Sequence, residues 1–284
     1  MRIICHGGAG GVPDEPTPRQ AVLDEAAATG VSADTAVDAV EAAINVLEDS
    51  PRFNAGFGGA IQSDGVVRTD AGVMTSDRDA GAVASLDGVR DAISAARVVM
   101  EETPHVFVSG THAVELVEEY GVETGVDLLT EETREEYADA DPPEGSPRDH
   151  LDWLEDRFGG HDTVGAVAHD AETDEFAAAT STGGRTFALA GRVGDVPQIG
   201  SGFFAAPAGG ASATGAGEDI AKATLTRRAV RHLEGGADAQ AAADRAIEEF
   251  GELTGSSAGV IVLGRGGAGS AFNSEGMQTS VAVE

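Results

Sequence analysis

Apolar residues recur at helical spacing over much of the first 120 positions of the chain. Between residues 17 and 47 they return every three or four positions, and Asp34-Thr35 has the residue types of a helix N-cap. Short apolar runs bounded by glycine or polar turns predict strands instead. We therefore predict helices within residues 17–47, 91–100 and 111–120, strands at residues 2–5 and 81–86, a hairpin at residues 60–69 and a tight glycine loop at residues 7–11.

The pattern changes after residue 118, where acidic residues and prolines interrupt the apolar periodicity. Residues 131–147 are predicted to be an exposed linker within an acidic flexible segment of about residues 131–160, with a helix near residues 147–157. Threonine, valine, alanine and glycine then predominate. There we predict strands at residues 163–169, 175–180, 258–263 and 269–272, helices at residues 218–232 and 237–250, and a small-residue loop at residues 209–217.

Strands in both halves with helices between them predict an α/β fold in which helices cover the outer faces of the sheets. The 284 residues are enough for one large domain. No run approaches the ~20 consecutive apolar residues that a membrane-spanning helix needs, and the N-terminal segment lacks the apolar region of a secretory signal. We therefore expect a cytoplasmic protein.

The chain has 49 acidic and 18 basic side chains, which gives a net charge of −31. This charge repels nucleic acid and anionic membranes, so neither partner is expected. Because the acids are spread over periodic segments, we interpret them as a halophilic adaptation to high salt, where the Debye length falls to ~3 Å at 1 M. An ordinary acidic protein is the alternative. The single cysteine, Cys5, lies in an apolar run and is expected to be buried.

Thr163 begins a predicted strand directly after two glycines and two polar residues. Strand propensity alone explains a threonine there. As a nucleophile it would need a base, and the sequence shows no histidine and acid pair beside it. Cleavage before Thr163 would free its own α-amino group, whose reference pKa of ~7.7–8.0 suits a general base. We therefore predict cleavage between Asp162 and Thr163, with the Asp162 carboxylate helping to orient or deprotonate the hydroxyl.

Seven sequence blocks point to a known family when they are taken in order. They are HGGAGG (residues 6–11), FNAGFGG (53–59), HDTVGAVAHD (161–170), ATSTGG (179–184), GRVGDVPQIGSG (191–202), TGAGE (214–218) and NSEGM (273–277). The chain resembles the plant-type asparaginase and isoaspartyl aminopeptidase family, a branch of the N-terminal-nucleophile hydrolases, except over residues 118–160. The resemblance implies an αββα sandwich, with two stacked, mainly antiparallel sheets between helical layers.

The resemblance also implies catalytic roles at matching positions. Thr163 would be the nucleophile, and Thr182 would hydrogen-bond it and stabilise its reactive form. Thr214 and Gly215 would form the oxyanion hole, which stabilises a tetrahedral intermediate by a few kcal/mol, or about 2.7–4 per donor. Asn54 would lie beside that hole, although a turn-forming asparagine is an adequate structural explanation.

Substrate binding is implied for four residues. Arg192 would bind the α-carboxylate of an aspartyl unit and Asp195 its α-ammonium group, since a guanidinium pairs well with a carboxylate. Pairing of Arg192 with surface acids is the structural alternative. Gly215 and Gly217 would let the backbone approach the substrate.

No cofactor for catalysis is expected, and the family resemblance implies a structural sodium ion and a dimer of αβ heterodimers. Residues 1–162 would form the α-subunit portion and residues 163–284 the β-subunit portion of one domain. Backbone carbonyls suit such a hard cation. The implied sodium ligands are the carbonyls of Leu47, Glu48, Ser50, Phe53, Ala55 and Phe57.

Two positions depart from the family pattern. Asp162 stands where many asparaginase-type members have glycine, as in glycosylasparaginases, and Ala216 stands where threonine is common. The substrate therefore stays open among small molecules: asparagine and β-aspartyl dipeptides, or alternatively glycosyl-asparagine. A nucleotide-binding protein that uses the HGGAGG loop is another alternative, although the glycine spacing and the lack of a Walker lysine oppose it. An unprocessed, inactive binding relative is a third.

Overall fold

The structure is a computed structural model that describes residues 1–143, 145–154 and 163–284. Its strands are β1 (Arg2–Gly10), β2 (Arg68–Thr75), β3 (Ala80–Asp87), β4 (Phe107–Ser109), β5 (Val164–Asp170), β6 (Glu175–Thr182), β7 (Phe203–Ala206), β8 (Gly209–Gly215), β9 (Ala258–Gly264), β10 (Gly267–Phe272) and β11 (Gly276–Val283). Its helices are α1 (Pro16–Val31), α2 (Ala36–Glu48), α3 (Ala92–Glu102), α4 (Gly110–Glu119), α5 (Glu131–Asp139), α6 (Pro147–Leu154), α7 (Gly217–Ala223), α8 (Leu225–Glu234) and α9 (Ala239–Thr254).

The strands of the described residues form two sheets. The larger sheet has the order β11-β1-β5-β6-β2-β3-β4, in which only β3 and β4 are parallel neighbours. The smaller sheet has the order β10-β9-β8-β7 and is antiparallel throughout. Because β1 pairs with both β11 and β5, the segments before and after Thr163 share one sheet.

Helices cover the outer face of each sheet. Helices α1, α2 and α3 pack on the larger sheet, and α8 and α9 pack on the smaller one. The inner faces meet in a third apolar layer that includes Phe176, Phe203 and Ile261. Full burial of a side chain of this size stabilises the fold by about 1.5–3 kcal/mol. The predicted sandwich of two mainly antiparallel sheets between helical layers is therefore confirmed.

The predicted helices of the first 120 residues are present, and the N-cap is confirmed in detail. The Thr35 hydroxyl accepts a hydrogen bond of 3.1 Å from the backbone N–H of Asp38. Such a cap satisfies one of the donors that a helix start leaves without a partner. Cys5 is fully buried, as predicted, and burial raises the pKa of its thiol to about 12. Within the described residues, no helix combines the length and apolar character needed to cross a bilayer.

The predicted loop at residues 209–217 is wrong, because residues 209–215 form β8 in the smaller sheet. The sequence did not predict this strand because its small residues lack the apolar alternation of larger ones. The small side chains are required because the two sheets approach each other closely at β8. A Cβ on Gly165 of β5 would clash with the Ser212 hydroxyl of β8 and with the His6 ring.

The predicted glycine loop at residues 7–11 is also largely wrong. Strand β1 continues to Gly10, and Ala9 and Gly10 pair with Met277 and Gly276 of β11 after a register shift. Strand β11 was not predicted from the sequence, and its pairing supplies hydrogen bonds to the glycine-rich segment. A paired strand is not a phosphate-binding loop, so the structural basis of the nucleotide-binding alternative is lost.

The acidic segment is more structured than predicted. Residues 131–139 form α5, which begins with a capping box of Thr130 and Thr133, and α6 confirms the helix predicted near residue 147. The Tyr137 hydroxyl donates to the Ser63 carbonyl at 3.1 Å, and the Trp153 ring packs 5.1 Å from the Phe187 ring. These contacts of Tyr137 and Trp153 stabilise α5 and α6. The composition of residues 131–147 had predicted an exposed linker instead of α5. The rest of the predicted flexible segment, residues 155–160, lies outside the described residues.

The helix predicted at residues 218–232 is two helices, α7 and α8. They are separated at Thr224, whose φ of 52° lies in the left-handed region. The break changes the direction of the chain after α7, so that this short helix can begin at the candidate site while α8 lies on the sheet.

Candidate active site

Thr163 lies immediately before β5 and is 6% exposed. Val164 pairs with Ser181 of β6, so the start of β5 lies beside the end of β6. Thr182, the last residue of β6, is therefore a neighbour of Thr163, and both line one small pocket. Antiparallel pairing brings together two threonines that are far apart in the sequence.

The remaining walls of this pocket come from the loop after β6 and from the end of β8. Six residues that the sequence analysis singled out line it together. They are Thr163, Thr182, Arg192, Asp195, Gly215 and Gly217. A hydroxyl, a cation and an acid thus converge on one space, as the binding and cleavage of a zwitterionic aspartyl unit would need.

Arg192 and Asp195 meet at the start of α7. A Cβ on Gly217 would lie 2.7 Å from Asp195 Oδ1 and 2.9 Å from Arg192 Nη2. Glycine therefore leaves the space in which a guanidinium and a carboxylate lie side by side. Arg192 Nε donates to Glu218 Oε1 at 2.8 Å, which orients the guanidinium. The structural alternative for Arg192 is therefore met in part, because its partner Glu218 is a half-exposed acid, whereas Asp195 is 4% exposed.

Burial raises the pKa of the Asp195 carboxyl to about 7, although its own backbone N–H and nearby Arg192 both favour the charged form. Within the described part of the chain, Asp195 Oδ2 has no hydrogen-bond partner. A bound ammonium group could donate a hydrogen bond to this buried oxygen atom.

Asn54 holds the turn that follows Thr182. Its side chain donates from Nδ2 to the Gly184 carbonyl at 2.7 Å and accepts at Oδ1 from the Ala60 backbone at 2.8 Å. Its own carbonyl accepts from the Gly183 N–H at 3.0 Å. Within the turn, the Thr182 hydroxyl accepts from Gly184 N–H at 3.1 Å. Asn54 thus lies beside the turn that lines the pocket, and its predicted place beside the oxyanion hole stays a prediction.

Thr214 is fully buried, next to Gly215 at the pocket. Its hydroxyl accepts a hydrogen bond of 3.3 Å from the backbone N–H of Ala9 in β1. A hydroxyl that accepts in this way still has a proton to donate. The arrangement is compatible with an oxyanion-stabilising donor, and that role stays a prediction.

Two charged residues at the site, Arg185 and Glu218, were not predicted from the sequence. Arg185 lines the pocket, and its Nη1 lies 3.4 Å from Oε2 of Glu218. Although burial acts in the opposite direction, the hydrogen bond and charge of Arg192 lower the pKa of Glu218. The sequence offered one signal for Arg185: it stands directly after STGG, in a chain in which basic residues are few.

A buried acid below the site was also missed. Asp70 of β2 pairs in register with Thr182 of β6, and its Oδ1 accepts from the Ser85 N–H at 2.7 Å. Burial raises the pKa of Asp70 to about 7, although this N–H and the charge of Arg192 favour ionisation. The sequence around Asp70 does not predict which residues lie next to it in space, because the register between β2 and β6 determines them.

His6 is the histidine that contacts the Thr163 region. Its Nε2 lies 2.8 Å from the Ser212 hydroxyl, and burial lowers the pKa of the ring to about 3. The imidazole is therefore neutral at physiological pH. Its side-chain partner is a serine and not an acid, so no charged histidine and acid pair forms here.

Asp162 lies outside the described residues.

The segment of the implied sodium ligands forms hydrogen bonds within itself: the Glu48 carbonyl accepts from Phe57 N–H at 2.8 Å, and the Leu47 carbonyl accepts from Ser50 N–H at 3.3 Å. Each carbonyl oxygen has a second lone pair, so each can still act as a ligand of a cation. The described residues contain no group of three or more His, Cys, Asp or Glu side chains arranged to hold a metal ion.

Comparison with known proteins agrees with this geometry. The family model described as asparaginase matches residues 1–284. The chain is 42% identical to a plant-type L-asparaginase of Pyrococcus abyssi, with 98% of this chain and 94% of the relative covered. It is 36% identical to an isoaspartyl peptidase/L-asparaginase of Danio rerio, with 93% and 86% covered.

The stacked sheets and the pocket at the start of β5 define an N-terminal-nucleophile hydrolase fold. The chain belongs to the asparaginase family of that class. It is therefore a hydrolase, as the sequence analysis predicted.

Proposed function

We propose that the chain is a self-processing amidohydrolase that acts on L-asparagine and β-aspartyl dipeptides through an ester of Thr163. The observation that carries this proposal is the pocket shared by Thr163, Thr182, Arg192 and Asp195. The names of the relatives, plant-type L-asparaginase and isoaspartyl peptidase/L-asparaginase, support the same substrates. Small molecules that contain an aspartyl unit fit the charges of the pocket.

Self-cleavage would begin with attack of the Thr163 hydroxyl on the carbonyl carbon of Asp162. The bond from that carbon to the Thr163 nitrogen breaks as the nitrogen takes up the hydroxyl proton. Water then hydrolyses the ester, which leaves a carboxylate on Asp162 and a free α-amino group on Thr163. We propose that the Asp162 side chain helps to deprotonate the hydroxyl, and an Asp162→Ala precursor that is cleaved at an unchanged rate would contradict this.

In the processed enzyme, the free amine of Thr163 would accept the proton of its own hydroxyl as the oxygen attacks the substrate's side-chain carbonyl. Thr214 and the Gly215 backbone would stabilise the oxyanion, and Thr182 would hydrogen-bond the nucleophile. The protonated amine returns its proton to the leaving ammonia or amino acid. Water, deprotonated by the same amine, then hydrolyses the ester and releases aspartate.

The alternatives gain less support. The names of the relatives describe asparagine and isoaspartyl substrates. Release of aspartate from glycosyl-asparagine, without release from β-aspartyl dipeptides, would select the alternative.

Intact mass spectrometry of the purified protein tests the central step. We expect two chains whose masses correspond to cleavage between Asp162 and Thr163, together with release of ammonia from asparagine. The Thr163→Ala variant should remain one chain and release none, whereas Thr163→Ser, which retains a hydroxyl, should be processed. A wild-type protein that stays whole and hydrolyses neither substrate would overturn the proposal and favour an inactive binding relative.

We also propose that the carbonyls of Leu47, Glu48, Ser50, Phe53, Ala55 and Phe57 hold a structural sodium ion. The segment of residues 47–57 contains Asn54, so an ion there would stabilise the turn beside Thr182. At constant ionic strength, replacing potassium by sodium should raise the melting temperature. Equal melting temperatures in the two salts would contradict the site. A cytoplasmic location and a dimer of αβ heterodimers remain predictions.

A further inference from the structure

Arg185 is a second arginine at the pocket, besides the one assigned to the aspartyl unit. It lies three residues after Thr182, in the turn that Asn54 holds, and its carbonyl accepts from Ala188 N–H at 3.0 Å. Its side chain is 15% exposed and lines the pocket with Thr163. The backbone is thus fixed on both sides of a guanidinium that reaches the space where a substrate would be cleaved.

Arg185 and Arg192 share one carboxylate, that of Glu218. Arg192 Nε makes the short contact of 2.8 Å to Oε1, and Arg185 Nη1 makes the longer contact of 3.4 Å to Oε2. The arrangement therefore holds two guanidinium groups side by side at the pocket.

The charges of the substrate show why a second cation would be needed. The aspartyl unit has one α-carboxylate and one α-ammonium group, which the proposed function assigns to Arg192 and Asp195. Asparagine then releases ammonia, which has no carboxylate. A β-aspartyl dipeptide releases an amino acid with a further carboxylate. In a chain of net charge −31, that carboxylate would be repelled unless a cation lies next to it.

We propose that Arg185 is a specificity-determining residue that binds the carboxylate of the leaving amino acid, so that β-aspartyl dipeptides with a free C-terminal carboxylate are the preferred substrate class. The inference rests on the proposed function. Burial disfavours the charged form of Arg185, as does the neighbouring charge of Arg192, and Glu218 opposes both effects. A carboxylate bound to Arg185 would offset this cost as a charge-assisted hydrogen-bond partner.

A purely structural role predicts a different result. If Arg185 only held Glu218 and thereby oriented Arg192, its loss would weaken binding of the aspartyl unit itself. Every substrate would then be affected alike, since every substrate contains that unit. A role toward the leaving group affects only substrates whose leaving group has a carboxylate.

The experiment compares L-asparagine, β-aspartyl-leucine and β-aspartyl-leucine amide on the processed wild type and on Arg185→Met and Arg185→Lys. For the wild type, kcat/KM should be about tenfold or more higher for the dipeptide than for its amide, as a charged hydrogen bond implies. Arg185→Met should lose about this factor on the dipeptide, mainly through KM, and change the other two substrates by less than about threefold. Arg185→Lys, which keeps the charge, should recover part of the loss.

Equal losses on all three substrates would overturn the inference in favour of the structural role. So would a wild type that does not distinguish the dipeptide from its amide, a comparison that decides the matter even if Arg185→Met fails to fold or to process. Hydrolysis of asparagine without hydrolysis of the dipeptide would overturn the inference alone. Absence of hydrolysis of all three substrates by the wild type would overturn the proposed function as well.

Discussion

The carboxyl group of Glu48, at the end of α2, accepts a hydrogen bond from the hydroxyl of Ser181, the residue before Thr182. The same oxygen accepts from the backbone N–H of Ile93 at 3.1 Å, so the acid joins two helices to the strand that ends at the pocket. Glu48 is fully buried, and burial raises its pKa well above the usual value. The acid thus supports the end of β6 next to Thr182.

Replacement of Glu48 tests this support. Glu48→Ala should lower the free energy of unfolding by about 3 kcal/mol or more, because it leaves a cavity and two buried donors without their acceptor. Glu48→Gln keeps an accepting oxygen for both donors and should therefore cost less than Glu48→Ala, although its amide N–H groups replace Oε2, which has no hydrogen-bond partner among the described residues. Urea unfolding at constant high salt measures both. A glutamine variant as unstable as the alanine variant would contradict a hydrogen-bonding role for the neutral acid.

The difference in stability between Glu48→Gln and the wild type should also depend on pH. The native state keeps a proton on Glu48 over the pH range in which the unfolded carboxyl, with an ordinary pKa of 4.5, has lost it. The contribution of this group to stability is therefore largest below pH 4.5 and decreases as pH rises above it. We expect the stability of Glu48→Gln relative to wild type to increase with pH. A constant difference from pH 4 to 8 would mean that Glu48 is ionised in the native state.

Ligand binding should depend on pH through Asp195, whose pKa burial raises to about 7. Only the ionised carboxylate attracts an α-ammonium group, so the dissociation constant of L-aspartate should rise about tenfold per pH unit below 7. Calorimetry with the processed enzyme measures it. Succinate lacks the ammonium group and is the control for protonation of Asp70 and of the Thr163 amine. Parallel pH curves for both ligands would exclude Asp195 as the ammonium site.

Gly217 should be intolerant of a side chain for reasons of space. Gly217→Ala places a methyl group 2.7 Å from Asp195 Oδ1 and 2.9 Å from Arg192 Nη2, so these groups must move. We expect KM to rise about tenfold or more, as for the loss of one charged contact, with little change in stability because alanine favours a helix. Gly266→Ala is the matched control, since nothing lies within 4 Å of its added methyl group. Unchanged KM in Gly217→Ala would show that substrate binds elsewhere.

The halophilic interpretation has its own test. Self-repulsion of a net charge of −31 should be screened as KCl rises from 0.1 to 2 M, and each kcal/mol gained should raise the melting temperature by roughly 2–4 °C. Sucrose is the control, because it is excluded from protein surfaces and does not screen charge. A melting temperature that responds to sucrose and KCl equally would favour an ordinary acidic protein.

The sequence alone predicted the elements whose side chains mark their own burial. Helix α2 is an example, because its apolar positions recur at helical spacing and Thr35 has the chemistry of a cap. Strand β8 could not be predicted in the same way. Its residues are small because β5 lies directly below them, and that requirement arises only when two sheets stack. Likewise, α5 looked like a linker because its own residues are exposed, while Tyr137 fastens it to a distant turn.

For the site, the sequence by itself determined which residue types are present and in which order: Thr163 at the start of a strand, then the blocks of Thr182 and Arg192. Only the tertiary structure decided which charges meet. Glu218 lies between Arg185 and Arg192, and Asp70 lies opposite Thr182, because a helix start and a strand register place them there. Local pattern encodes propensity and periodicity, whereas burial and charge pairing depend on neighbours that are remote in the chain.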